Sequence, residues 1–293
     1  MIDVPRIGLA ILFFASGVAG RGWSQDSINW TPPTQPVYAV FPNHSGEGSG
    51  PLSTKFGDLL MVQIHPAILP ASETESRVES RALYEKGRQF ALYVDGQRHG
   101  DVRIEMAKEH QCNSAAALVV PIPASVSKKV TGLATNAPEA RPRSGHRRDP
   151  TPAERTIAVQ AATREFLRNN VSRSLMTRIQ LDHLTAVEVG NGEAPTVVGS
   201  FFIRTSTERH DLFLILQVAP GASIQYSRYG QTTDLADFKD HESISFVDHL
   251  DVNGDGTDEI VLEINGYEAE KYEMYARQRE KWYRVAIGGE VGC

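Results

Sequence analysis

Tyr272, Met274 and Ala276 alternate with Lys271, Glu273 and Tyr275, and a period of two belongs to a strand with one face on a core. Runs of similar length crowd the whole C-terminal half, at 177–189, 196–204, 212–218, 223–229, 244–250, 259–264, 271–276 and 281–287. They are rich in β-branched and aromatic residues, and Gly, Asn and Asp part them. Such a chain can bury its apolar positions only by pairing strand with strand, so this half reads as an antiparallel β structure.

One helix stands in front of it. Thr151 can cap a first turn, Pro152 occupies the first helical position where its missing N–H costs nothing, and Glu154 can reach back to the cap. Ala158, Val159, Ala162 and Phe166 then share a face, with Gln160, Arg164 and Arg168 opposite, which predicts about five turns.

The N-terminal half carries shorter strand signals at 37–41, 59–64, 90–94, 102–106 and 116–120, and Asp95-Gly96 reads as a hairpin turn. A small β-rich domain over 37–121 follows. Between 122 and 150 four prolines and the basic cluster Arg141, Arg143, His146, Arg147 and Arg148 replace any apolar periodicity. That stretch reads as a flexible linker, whose cluster is either solvated or docks an anionic surface. The expected fold class is therefore mainly β (α+β): a β-rich domain, a linker, then 151–293 as a helix and an antiparallel β domain.

The connection from Asp251 to Glu259 carries the chain's clearest chemistry. Asp251, Asn253, Asp255 and Glu259 occupy positions 1, 3, 5 and 9 of Asp-Val-Asn-Gly-Asp-Gly-Thr-Asp-Glu, and Gly256 permits a sharp turn at position 6. Calcium takes six to eight hard oxygen donors, and alternate positions of such a loop converge. Unneutralised, its three carboxylates would repel one another. The loop does not run into a second helix, since Ile260-Val261-Leu262-Glu263-Ile264 is a strand and Gly266 follows. It resembles the FG-GAP or VCBS-type repeat of integrin α-chain propellers and many exported bacterial proteins. The resemblance implies calcium held by Asp251, Asn253, Asp255, Glu259 and the carbonyl of Thr257.

A decayed copy lies upstream. Without gaps, 187–198 aligns on 250–261 with the apolar frame kept, while positions 1, 3, 5 and 9 become Glu188, Gly190, Gly192 and Thr196. Too few donors remain for an ion, and two related units of about four strands each are expected. A closed propeller needs at least four blades, so two sheets packed as a sandwich or an incomplete barrel are expected instead, with the helix over one edge.

The N-terminus bears on the compartment. Arg6, the apolar run 7–14 and the small residues Ala15 to Gly20 make a secretory signal peptide, cleaved after Ala19 or Gly20. The run is shorter than the roughly 20 residues of a membrane span, so no span is expected after cleavage, and 21–36 reads as a polar tether. The protein is then periplasmic or secreted. Cys112 and Cys293 would there either close a disulfide or remain free thiols. Removal of 1–20 takes one charge of each sign and leaves the net charge at -6, which disfavours nucleic acid as a partner.

No nucleophile elbow, zinc helix, Cys-x-x-Cys pair or phosphate loop occurs. His241, Glu242 and His249 are the nearest approach to an acid–base cluster, and Tyr226, Tyr229, Tyr267, Tyr272, Trp282 and Tyr283 form either a binding face or core. The expectation is an exported, non-enzymatic protein with a calcium-stabilised β domain that binds a protein or glycan. The rival is an exported hydrolase with its site between two domains.

Overall fold

The computed structural model describes residues 28–42, 59–65, 85–109, 115–119, 131–143, 147–190, 194–218, 222–233, 242–266 and 270–291. The signal peptide, Cys112, Cys293, His146, His241 and Tyr267 lie outside them. The fold is mainly β with antiparallel sheets. Among the described residues no helix is long and apolar enough to cross a membrane.

The first six strands close into a barrel. They are β1 (Val37–Pro42), β2 (Leu59–His65), β3 (Gln89–Val94), β4 (Gln97–Glu109), β5 (Ala115–Val119) and β6 (Gly132–Thr135). Their order around it is β1-β2-β5-β4-β3-β6, and β6 closes the ring by pairing antiparallel with both β1 and β3. Tyr38, Val40, Met61, Phe90, Leu92, Val102, Ile104 and Ala134 fill the interior, where the rings of Tyr38 and Phe90 meet edge to face at 4.9 Å. The β3–β4 turn is at Asp95 and Gly96, both with positive φ, as the hairpin reading expects.

Strand β6 corrects the reading of 122–150 as a flexible linker. Gly132-Leu133-Ala134-Thr135 is buried at every position, with Ala134 turned into the barrel and Leu133 outward against the C-terminal half. A strand covered on both faces shows no alternation, and four residues are too few for a period to register. A Cβ on Gly132 would run into the Tyr93 carbonyl oxygen, so glycine permits the close approach that closes the ring.

Helix α1 (Pro152–Arg168) opens on the expected capping box: the Glu154 N–H donates to the Thr151 hydroxyl at 3.3 Å and the Thr151 N–H to the Glu154 carboxylate at 2.7 Å. Ala158, Ala161, Ala162 and Phe166 are its buried apolar face, whereas Val159 is 37% exposed. A 3₁₀ turn (Arg173–Arg178) leads into two four-stranded sheets. The first runs β7 (Gln180–Val187), β8 (Thr196–Arg204), β9 (Arg209–Gln217) and β10 (Ser223–Thr232). The second runs β11 (Ser243–Leu250), β12 (Glu259–Asn265), β13 (Glu270–Gln278) and β14 (Lys281–Val291). Each is a meander with its strands in chain order.

The layers are helix, sheet, sheet and barrel. Ala158 and Phe166 pack on Phe201, Ile203, Leu212 and Leu214 on one face of the first sheet, so the helix covers a face rather than an edge. The other face, through Val198, Phe213 and Ile215, meets Ile244, Phe246, Ile260, Leu262 and Trp282 of the second sheet. The far face of that sheet, with Val247, Leu250, Val261, Tyr272, Met274 and Ala286, packs on Val37, Ala39, Val62, Ile64 and Leu133 of the barrel. A large apolar side chain buried in this way contributes about 1.5–3 kcal/mol. Backbones come close at the last contact: a Cβ on Gly288 would lie 2.8 Å from the Gln63 carbonyl oxygen.

Candidate metal centre

The loop between β11 and β12 is built by its own short polar side chains. Both oxygens of Asp251 accept backbone N–H groups, Oδ1 from Gly254 at 2.7 Å and Oδ2 from Gly256 at 3.1 Å. Asn253 Oδ1 accepts from the Asp255 N–H at 3.0 Å, and Asp255 Oδ1 from the Thr257 N–H at 2.8 Å. Gly254 and Gly256 supply the positive φ that lets the chain fold back at each step, at 76° and 97°. Asp251, Asn253, Asp255 and Thr257 thus share one tight turn.

Glu259 sits beneath it. Its Oε2 accepts the Val252 N–H at 3.0 Å and its Oε1 the Trp30 indole N–H at 2.9 Å. Burial pushes this carboxyl up to about 8, against those two bonds and helped by the charges of Asp255 and Asp251. Burial also raises Asp251, against its N–H donors and Arg143. The charges of Asp255 and Asp251 therefore oppose the ionisation of Glu259 beneath them.

The donors are hard oxygens of the kind calcium takes, and Arg143 Nη2 lies 3.1 Å from Asp251 Oδ2. On donor chemistry the residues fit the ion. Among the described residues, no group of three or more His, Cys, Asp and Glu side chains is arranged to hold a metal, and the Glu259 oxygens accept from Val252 and Trp30.

Around the loop four distant segments meet. Trp30 arrives from the strand-less lead into the barrel. The barrel's β3–β4 turn presents its Asp95 N–H to Asp248 Oδ2 at 3.0 Å. From the stretch after β6, the Arg141 N–H donates to the Asp251 carbonyl at 2.8 Å, and a Cβ on Gly254 would lie 2.8 Å from the Glu139 carbonyl oxygen. The decayed copy is the fourth: the Asp258 N–H donates to the Val189 carbonyl at 2.8 Å, and Gly190 bridges Thr257. Val187 and Leu250 end their strands and Thr196 and Glu259 open theirs, so the gapless alignment holds at both strand ends. Of the decayed positions, Gly192 lies outside the described residues.

Neighbouring charges are buried in pairs. Asp258 Oδ2 is 2.7 Å from His249 Nδ1, and its Oδ1 is 3.2 Å from Arg143 Nε. Burial works against a charge on His249, but the Asp258 bond and the charges of Asp248, Asp258 and Asp95 outweigh it and raise the imidazole. His249 is thus a buried ion-pair member rather than a surface residue, and it sits at the opposite end of β11 from Glu242. Seven residues of strand hold these two about 23 Å apart, so they form no acid–base cluster. Glu242 is bound by Arg228 and, at 3.0 Å, by Lys271.

Three arginines of the basic cluster have partners within the fold. Arg148 forks onto Glu154 at 2.6 and 2.7 Å, Arg147 lies over the Phe246 ring, and Arg143 serves the loop. Three of the aromatics are engaged within the fold: Tyr226 bonds Tyr275, Trp282 donates to Gln225, and Tyr272 donates to Glu263 and stacks on Phe41. A cavity of about 250 Å³ opens where the two sheets part, lined by Phe202, Arg209, Asp211, Arg228, Tyr229 and Glu242 among others. Sequence reasoning missed Arg143 and Trp30 at the loop; a surplus of arginines was visible, but nothing in it gave an address. The chain matches no protein-family model, no curated protein and no solved structure.

Proposed function

We propose that this is an exported, non-enzymatic protein whose loop 251–259 binds calcium through Asp251, Asn253, Asp255, Glu259 and the Thr257 carbonyl, as an FG-GAP-like unit would. The ion acts as a structural pin, and the protein serves its cell by binding a protein or glycan outside the cytoplasm. The observation that carries this is the placing of Asp251 and Asp255 over the buried Glu259, whose ionisation their charges oppose, at the point where four segments meet. A divalent cation there removes the repulsion and tightens every segment that touches the loop.

Partner binding fits the crevice between the two sheets better than catalysis does. Its volume of about 250 Å³ falls below the roughly 300–1,000 Å³ of ordinary small-molecule sites, and two of its three carboxylates are engaged by cations, Asp211 by Arg209 at 2.9 Å and Glu242 by Lys271 and Arg228, while Asp182 lies 3.7 Å from His183. An acid or base for hydrolysis would need to be poised rather than paired.

Thermal denaturation of the full chain tests the calcium reading. For a dissociation constant of about 0.1–1 mM, 10 mM calcium is expected to raise Tm by roughly 3–8 °C over chelator. Asp255→Ala is expected to abolish the rise. Identical curves for the wild type in calcium and in chelator reject the proposal.

A further inference from the structure

Arg143 meets the loop on two carboxylates with different roles. Its Nη2 lies 3.1 Å from Oδ2 of Asp251, the first ligand position, while its Nε lies 3.2 Å from Oδ1 of Asp258, which is no ligand in the reading above. Both acids are almost wholly buried, and the Arg143 side chain is 14% exposed. The guanidinium did not arrive by chance of a long side chain. The backbone around it is fastened on both sides, by the Arg143 N–H to the Gly96 carbonyl at 3.0 Å and the Arg141 N–H to the Asp251 carbonyl. Nη1 is buried without a hydrogen-bond partner, so what holds the head group is the pair of carboxylates.

We infer that Arg143 is a tethered cation that neutralises Asp251 when calcium is absent and competes with the ion when it is present, so that this one residue sets the loop's calcium affinity. The inference rests on the calcium reading of the loop. Asp251 Oδ2 already accepts two donors, Gly256 N–H and Arg143 Nη2. A divalent cation on that carboxylate meets both a committed oxygen and a like charge. Asp258 makes the exchange feasible: a guanidinium that releases Asp251 keeps its second partner, so no buried charge is left alone. The arrangement suits a compartment rich in calcium, because it keeps the loop shaped before the ion arrives while weakening its grip on traces of it.

Calorimetric titration of the full chain with calcium chloride, alongside Arg143→Met, tests this. Met keeps much of the stem's packing and removes the charge. A single positive charge a few ångströms from a divalent ion near the surface weakens binding by about tenfold, so Arg143→Met is expected to bind calcium about tenfold more tightly than wild type. It is also expected to melt lower in chelator, so the calcium-induced rise in Tm grows. Arg143→Lys keeps the charge but loses the fork that bridges two carboxylates; it is expected to fall between the two, and it stands in if the Met variant fails to fold. Wild-type binding with unchanged or weaker affinity in the variants overturns the role of Arg143 and leaves the calcium site standing. Absence of binding in the wild type, whether or not a variant binds, overturns both.

Discussion

Arg148 and Glu154 join the lead-in to the first turn of the helix, and Glu154 is also the third residue of its capping box. The Arg148 hydrogen bond, against burial and with help from the Thr151 N–H, holds the Glu154 carboxyl down from its ordinary 4.5 to about 2. A folded value below the unfolded one means stabilisation that is present above pH 4.5 and fades as pH falls toward 2. Arg148 is over a third exposed, so solvent screening limits the effect to about 1 kcal/mol. Urea denaturation at each pH should show the wild type losing about that much more than Glu154→Gln between pH 5 and 2. At pH 7 the variant is expected to be less stable by about 1–2 kcal/mol, having lost a charged cap. Partners of this kind set the limit of what a sequence reveals. Glu154 and Thr151 are three residues apart and legible as a motif, and so are the loop's internal bonds. Arg143 lies 108 residues from Asp251 and Trp30 lies 229 from Glu259, distances over which no local spacing carries information.

Runs of five or more β-branched and aromatic residues announce a strand even where it is covered twice, as 37–41 and 259–264 are, and a four-residue strand without alternation does not. The helix cap, the Asp95-Gly96 turn and the strand after the 251–259 loop were all readable because each depends on chemistry within a few residues. β6 was not, since Leu133 and Ala134 serve two different cores and erase the alternation that marks a strand. The same double covering explains why Val37, Tyr38, Ala39 and Val40 form an unbroken apolar run, all fully buried. Closure at β6 is expected to be sensitive to a single methyl group. Gly132→Ala would press a Cβ into the Tyr93 carbonyl, and backbone has little freedom to give way. A loss of about 2–3 kcal/mol is expected, read as a lowered urea midpoint; an unchanged midpoint would mean that the ring is not closed there. On the helix, Phe166→Ala should cost about 3–5 kcal/mol, while Val159→Ala, at an exposed position, should leave stability nearly unchanged.

Each half of the molecule supplies part of the other's core. Val247, Leu250, Val261, Tyr272, Met274 and Ala286 lie against the barrel, so residues 151–293 expressed alone would expose a broad apolar sheet face to water. That fragment is expected to aggregate or to bind a hydrophobic dye; a soluble, dye-silent monomer would show that the halves are independent. For the intact chain the shared core predicts one cooperative unfolding transition rather than two. The covering layers have one more consequence. Propeller-like arrays lengthen by adding a sheet to a free face, yet here a helix stands against one outer face and a barrel against the other, like bookends on a shelf that holds two volumes. A further sheet could be inserted only at the Phe213–Phe246 seam, which would part Thr257 and Asp258 from Gly190 and Val189. Two sheets therefore complete the stack, because both outer faces are already spoken for.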